Sequence, residues 1–107
     1  MDNNVRYIVV LFWDGVGYTY QTDDKVHIFF HHPAVAYKKL AYAKKRAEEV
    51  GRRWLNTDTC VFKVKLDERL SCDQYKNWCE DDDRLMFRFV YSAGIALWEE
   101  NIAALNQ

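Results

Sequence analysis

Apolar side chains recur with a period of two, or run on continuously, in four segments of the chain, and both patterns predict β-strands. The first segment, Val5–Trp13, reads VRYIVVLFW and is nearly all apolar, which indicates a central strand buried on both faces or nearly so. Residues 57–68 alternate apolar and polar side chains, as a half-buried strand does. Residues 26–31 and 84–92 predict two further strands.

The segment between the first two apolar runs is rich in turn-forming residues. Asp14-Gly15 and Gly17 supply one turn signal, and Asp23-Asp24 supplies another. The chain is therefore expected to reverse here, so that residues 26–31 pair antiparallel with Val5–Trp13.

From Pro33 onward the apolar period changes from two to between three and four. This spacing predicts a helix of about five turns, with Pro33 in its first turn and His32 at the cap position. The pair His31-His32 then marks the junction between a strand and this helix. The buried stripe is mostly alanine, which permits close approach to a sheet, and its apolar positions are Ala36, Leu40, Ala43, Ala47, Val50 and Trp54.

Two more helices are predicted in the second half of the chain. Ser71 and Gln74 have the spacing of a capping box, which predicts one or two helical turns before the acidic cluster. The last segment has an apolar spacing of three and four, which predicts a C-terminal helix with Ser92 as its N-cap, and its apolar positions are Ile95, Trp98, Ile102 and Leu105.

Together these elements predict an α+β two-layer sandwich. Its mostly antiparallel sheet of about four strands is joined by a long helix and a C-terminal helix. Residues 1–107 are expected to form a single domain, because a chain of this length buries one core but not two.

Composition and charge narrow the environment and the classes of partner. No apolar run approaches the roughly 20 residues that span a bilayer, and the acidic start MDNNVRY is unlike a signal peptide. Three cysteines without a CxxC spacing fit a reducing compartment, so a cytoplasmic protein without membrane contact is predicted. Fifteen Lys and Arg against sixteen Asp and Glu give no general attraction to nucleic acid.

The three histidines do not form a recognisable metal site. On a strand, His27 and His31 would share one face at roughly 13 Å from each other, while His32 would point to the other face. A zinc site needs convergent His and Cys ligands, usually at short spacings. No nucleophile elbow, phosphate loop or paired-carboxylate spacing is present either. The sequence therefore predicts a protein that is not an enzyme, with no metal and no cofactor.

The sheet face away from the helices carries the functional prediction. If Tyr7, Val9, Phe62 and Phe87 face the helices, the opposite face is both apolar and basic, where a solvated face would be polar throughout. That face is expected to be covered or to bind a partner, and it comprises Arg6, Ile8, Val10, Phe12, His27, Phe29, His31, Val61, Lys63, Lys65, Met86, Arg88 and Val90.

A small protein-binding module fits these observations best. Aromatic residues make up 16% of the chain, more than a core of this size easily hides, and Trp, Tyr, Phe, Met and Arg are the residue types enriched at interface cores. The expected anchors are Phe12, Phe29 and Arg88, and His31 and Lys63 are further residues predicted to bind the partner. By analogy with small inhibitors and adaptors carried by phages and plasmids, the acidic residues Asp81, Asp82 and Asp83 would meet a larger nucleic-acid-processing enzyme and occlude it.

Two alternatives stay open. The same aromatic and basic face could stack single-stranded RNA or DNA, with Lys63 and Arg88 supplying positive charge, and a basic ridge on the long helix would assist. That ridge is Lys38, Lys39, Lys45, Arg46 and Arg53, and its other interpretation is a solvated helix face. Alternatively, the face is covered by a second copy of the chain in a homodimer.

Overall fold

The computed structural model of the chain describes residues 5–13, 16–19, 27–29, 32–34, 36–54, 57–65 and 83–101. Their order along the chain is four strands, one helix and three strands. These elements are β1 (Val5–Trp13), β2 (Val16–Thr19), β3 (His27–Phe29), β4 (His32–Ala34), α1 (Leu40–Arg53), β5 (Asp58–Lys65), β6 (Leu85–Ser92) and β7 (Ile95–Glu100).

Five of the strands form one antiparallel sheet in the order β2-β1-β5-β6-β7. β1 and β5 lie inside the sheet and pair without a break from Val5 opposite Lys65 to Phe12 opposite Asp58. The side chains of the two strands explain their central position in the sheet. Consecutive residues of each strand are buried, for example Ile8 and Val9 in β1 and Cys60 and Val61 in β5. Strands that are apolar on both faces are stable only between two covering layers.

Helix α1 covers one face of this sheet. Its buried residues are Ala43, Ala47, Val50 and Gly51, and the two alanines form one cluster with Val9, Val61 and Phe87 of the sheet. Small side chains let the helix backbone approach the strands closely. The approach is closest at Gly51, where a Cβ would overlap the ring of Phe89.

The opposite face of the sheet is buried as well. Ile8, Val10 and Phe62 are fully withdrawn from solvent, and they form a second cluster that also includes Cys60 and Val64. This face was expected to be covered or to bind a partner, and over the central strands it is covered within the single chain. The face assignment within β5 is also reversed: Val61 packs toward α1, whereas Phe62 and Val64 lie on the other side.

A β-bulge in β6 changes which side chains face the helix. Val61 pairs with Phe87 and Phe62 pairs with Leu85, which leaves Met86 as an extra residue in β6. Met86 and Phe87 consequently both pack in the helix-side cluster, while Leu85 packs against the opposite cluster. A strict alternation along this strand, as predicted from the sequence, therefore fails at Leu85.

A tight hairpin joins β6 to β7. Ser92 pairs with Ile95, and the two residues between them, Ala93 and Gly94, have φ values of 53° and 78°. Positive φ at both central residues is the geometry of a type I′ turn, whose twist matches that of paired strands. The C-terminal helix predicted from Ser92 is thus replaced by a strand over Ile95–Glu100, and positions 102–107 lie outside the described residues.

The segment around the histidines also differs from its prediction. β3 pairs with β4 and not with β1, and Pro33 lies in β4 opposite Ile28. α1 begins only at Leu40, because the chain before it extends the sheet through hydrogen bonds between the backbones of Tyr7 and Tyr37, at 2.8 and 2.9 Å. His32 is consequently a strand residue and not a helix cap.

The α+β class and the antiparallel sheet are confirmed, with five strands in the main sheet where about four were expected. The helix predicted after Ser71 lies outside the described residues. Among the described elements, no helix has the length and apolar character needed to cross a membrane.

Replacement of Gly51 by alanine tests the close packing of α1 on the sheet. Gly51→Ala should lower the free energy of unfolding by about 1–2 kcal/mol, because overpacking against Phe89 outweighs the roughly 1 kcal/mol of helix propensity that alanine adds. Urea denaturation of Gly51→Ala, Phe89→Leu and the double variant measures the coupling. The double variant should lose less than the sum of the two single changes. An increase in stability for Gly51→Ala would contradict the close approach.

The β6–β7 turn gives a second test. Ala93→Asn should raise the free energy of unfolding by about 1 kcal/mol, because asparagine tolerates the left-handed backbone better than alanine. Gly94→Ala should lower it by about 1 kcal/mol, and this effect is conformational because a Cβ at Gly94 meets no atom within 4 Å. Thermal denaturation checks both changes. A stabilising Gly94→Ala would be inconsistent with the type I′ turn.

Candidate aromatic binding cleft

A cleft of about 490 Å³ opens between the end of α1 and the β1–β2 pair. The strands contribute its floor and one wall, and the helix and its cap contribute the other wall. Its lining residues are Leu11, Trp13, Tyr18, Thr19, Val50, Arg53 and Trp54. A volume of this size lies within the range of about 300–1,000 Å³ found for ligand sites, and the lining is mostly apolar, as in such sites.

Three aromatic side chains of this lining are half exposed: Trp13 at 55%, Tyr18 at 52% and Trp54 at 52%. The strand pairing brings the first two together. Leu11 lies opposite Tyr18, so Tyr18 shares the helix-side face with Leu11 and Trp13. α1 ends at Arg53, and these three aromatic side chains stay about half exposed at this corner.

The backbone of Trp54 is held on both sides. Trp54 caps α1 and donates its N–H to the carbonyl of Val50 at 3.1 Å. The hydroxyl of Thr57 donates a hydrogen bond to the carbonyl of Trp54, and Thr57 itself is buried. These bonds hold the backbone of Trp54 in place before any partner binds. Binding at Trp54 therefore loses less conformational entropy than it would at a mobile residue.

Arg53 brings a positive charge to the cleft. Two other cations of α1 are paired, since Arg52 lies 3.1 Å from Glu48 and Arg46 lies 2.8 Å from Glu49. Arg53 has no such ion pair within the described part of the chain. A cation in the last helical turn also interacts favourably with the helix dipole, which is a structural role that requires no ligand.

The predicted anchors Phe12 and Arg88 both lie on the sheet face opposite α1. Phe12 is partly buried and its ring packs edge-to-face on Phe62, with ring centroids 6.2 Å apart. Arg88 is half-buried, and its guanidinium lies 3.8 Å from Glu99. Both side chains thus contribute to the packing of this face.

The other predicted site residues are not gathered beside these two. Lys63 pairs with Tyr7 and therefore projects from the helix side of the sheet, and Asp83 is exposed in the turn before β6. Phe29 lies in β3. His31, Asp81 and Asp82 fall outside the described residues.

The predicted basic ridge is divided between two environments. Lys38 and Lys39 precede α1, and Lys39 instead lies over the ring of Tyr42, 5.7 Å from its centroid. Arg46 is tied to Glu49 and donates to the hydroxyl of Tyr37 at 3.2 Å. Lys45 and Arg53 are the exposed cations of α1 for which the described residues provide no carboxylate.

The sequence did carry a signal for the cleft. Asp14-Gly15 is a strong two-residue hairpin signal, and a two-residue connection pairs Trp13 with Val16 and Leu11 with Tyr18. Interpreting residues 14–25 as one long reversal hid β2 and so hid the pairing that brings Trp13 and Tyr18 to one corner. The apolar spacing places Trp54 in the buried stripe of the helix, but the helix ends one residue earlier, and Trp54 is its C-cap.

Over the described ranges, no group of three or more His, Cys, Asp or Glu side chains is placed to hold a metal ion. Among the described residues that line the cleft, no pair of titratable groups is suited to proton transfer, and Arg53 is the one charged side chain. Comparison with protein-family models, with curated proteins and with solved structures finds no match to this chain.

Proposed function

We propose that this chain is a small, non-enzymatic protein-binding module that holds a segment of a partner protein in the aromatic cleft. The observation that carries the proposal is the convergence of Trp13, Tyr18 and Trp54, each about half exposed, on one cleft next to Arg53. Trp, Tyr and Arg are the residue types that most often dominate binding energy at protein interfaces.

The free energy gained by burying the exposed rings indicates whether the cleft alone could hold a partner. Each of these side chains presents roughly 150–250 Å², so covering the exposed half of three removes on the order of 300 Å² from water. At about 25 cal/mol per Å², the gross gain is on the order of 7 kcal/mol. Association costs about 4–15 kcal/mol, so the cleft serves as the anchor of a larger interface.

Charge and shape define the chemistry of the bound segment. An apolar side chain would enter between the rings of Trp13 and Trp54, above Leu11 and Val50. A carboxylate beside that side chain would pair with Arg53, since charge-assisted hydrogen bonds to a guanidinium are strong and directional. The proposed occupant is therefore an apolar peptide segment flanked by an acidic residue.

A finer proposal concerns the identity of the partner. In this version the chain is an inhibitor or adaptor of the kind carried by a phage or plasmid, and it occludes a larger nucleic-acid-processing enzyme. Its support is the acidic cluster Asp81, Asp82 and Asp83, of which Asp83 is exposed. Such a cluster would attract the basic surface of a nucleic-acid-binding partner and speed association.

Alanine substitutions in the cleft test the proposal. Affinity capture from the native host should recover a specific protein, and purified Trp13→Ala and Trp54→Ala should each bind it at least about tenfold more weakly. Isothermal titration calorimetry measures the change. Tyr42→Ala is the matched control, because Tyr42 is equally exposed on α1 but does not line the cleft. Equal affinity of the Trp13→Ala/Trp54→Ala double variant and the wild type would exclude the cleft.

Single-stranded nucleic acid is the second candidate occupant of the same cleft. The observation in its favour is the combination of stacking surfaces with Arg53, an exposed cation that has no ion pair among the described residues. Bases stack on exposed aromatic rings, and cations contact the phosphates between them. Since Phe12 and Phe62 pack inside the protein, this candidate uses the cleft and not the face of the sheet.

A labelled oligouridylate separates the two candidates. If nucleic acid is the ligand, the probe should bind at low salt, binding should weaken steeply as salt rises, and Arg53→Glu should reduce affinity far more than Lys45→Glu. Lys45→Glu makes the same charge change outside the cleft and is the matched control. Absence of any mobility shift at low salt would remove this candidate, and equal losses for the two variants would indicate non-specific attraction.

A further inference from the structure

The outer edge of β7 is a second surface whose form suggests a partner. β7 ends the five-stranded sheet on the side away from β2. Ile95 and Leu97 are each 60% exposed there. Two large aliphatic side chains this exposed on an edge strand are a liability for pairing with another chain.

The hydrogen-bonding register determines which backbone groups are available at this edge. Asn101 donates its N–H to the carbonyl of Met86 at 3.0 Å, on the inner side of β7. Antiparallel pairs alternate, so Leu97 and Glu99 also turn their backbone groups inward toward β6. Ala96, Trp98 and Glu100 therefore present N–H and C=O groups outward, and these groups meet no partner among the described residues.

The usual protection of an edge strand is missing from the first part of β7. Natural edges carry lysine, proline, a bulge or an inward-pointing charge. Residues 95–98 read IALW and have none of these. The two following glutamates are balanced within the chain, since Glu99 lies 3.8 Å from Arg88 and Glu100 lies 3.6 Å from Lys44.

We propose that two copies of this chain pair antiparallel through β7, with Leu97 of one copy opposite Leu97 of the other. In this register the backbone of Ala96 donates one hydrogen bond to Trp98 of the second copy and accepts one from it. By symmetry, Trp98 of the first copy forms the same two bonds with Ala96 of the second. The small side chain of Ala96 lies beside the large indole on the helix side of the sheet. No glutamate lies opposite a glutamate, so the register is complementary in shape, hydrogen bonding and charge.

The neighbouring registers that keep the hydrogen bonds fit less well. A shift in one direction places Ala96 opposite Ala96. Trp98 then lies opposite Gly94 of the turn, so fewer residues of β7 can pair. A shift in the other direction places Trp98 opposite Trp98 and Leu97 opposite Glu99. In the register centred on Leu97, residues 95–99 pair within the strand and Glu100 falls opposite Gly94. It is the register in which the apolar side chains of residues 96–98 all lie opposite apolar side chains.

This dimer leaves the proposed function intact and extends it. The aromatic cleft lies near β2, at the other edge of the sheet, so pairing through β7 leaves both clefts open at the two ends of one continuous sheet. An interface of one strand pair falls below about 1,000 Å² and is expected to be weak. A partner that carries two or more copies of the bound segment would nonetheless occupy both clefts of one dimer and bind more tightly than it binds a single cleft.

Cysteine cross-linking tests both the edge and the register. With Cys72 and Cys79 replaced by serine, Leu97→Cys should form a covalent dimer under mild oxidation, because opposed Cα atoms in a non-hydrogen-bonded pair are about 4.5 Å apart. Ile95→Cys is the matched control: it is equally exposed, but its two copies would be about 13 Å apart. Cross-linking of Ile95→Cys equal to or faster than that of Leu97→Cys would overturn the proposal.

Light scattering over a range of concentrations provides the second measurement. The wild-type mass should rise from 12.8 kDa toward twice that value, and Ala96→Pro should remain at 12.8 kDa. Proline at position 96 removes an outward N–H and leaves the β6–β7 bonds in place. Leu97→Lys should have the same effect through charge, with circular dichroism confirming that each variant is folded. A wild type that stays monomeric throughout, or a dimer that persists in both folded variants, would refute pairing through β7.

Discussion

The pairing of β1 with β5 is the interaction on which the rest of the structure depends. Both strands carry apolar side chains on both faces, so other parts of the chain must bury these side chains on each side of the sheet. Val9 and Val61 build the row beneath α1, and Ile8 and Phe62 build the row on the opposite side. Once the ladder forms, the alanine stripe of α1 fits one face, and the other face is removed from solvent as well.

This constraint decides where binding surfaces remain. Folding uses both faces of the central strands, and three of the exposed aromatic residues lie at a boundary of the sheet, where the covering layer ends. Trp13 and Tyr18 extend past the end of α1, and Trp54 follows its last turn. At the far edge, the β6–β7 hairpin leaves Ile95 and Leu97 exposed. The two proposed interactions therefore occupy a corner and an edge of the sheet.

The features that depend on local side-chain pattern could be predicted from the sequence, and those that depend on pairing could not. The continuous apolar run of β1 gave its correct bounds, and the alternation of β5 and β6 located both strands. The spacing of three and four residues within 95–105 imitated a helix, while the backbone at Ala93-Gly94 specifies a hairpin. The bulge at Met86 depends on how Val61 and Phe62 meet β6, which no single segment encodes. The cleft was missed for the same reason, since it arises where a hairpin and a helix end come together.

The central claim is that a single chain covers the sheet face opposite α1, and the thiol of Cys60 reports on it directly. Cys60 lies on that face and is fully buried. With Cys72 and Cys79 replaced by serine, a thiol reagent should modify Cys60 only on unfolding, at protein concentrations where light scattering gives the monomer mass. Rapid modification of Cys60 in the native monomer would show that the face is open and would contradict this account.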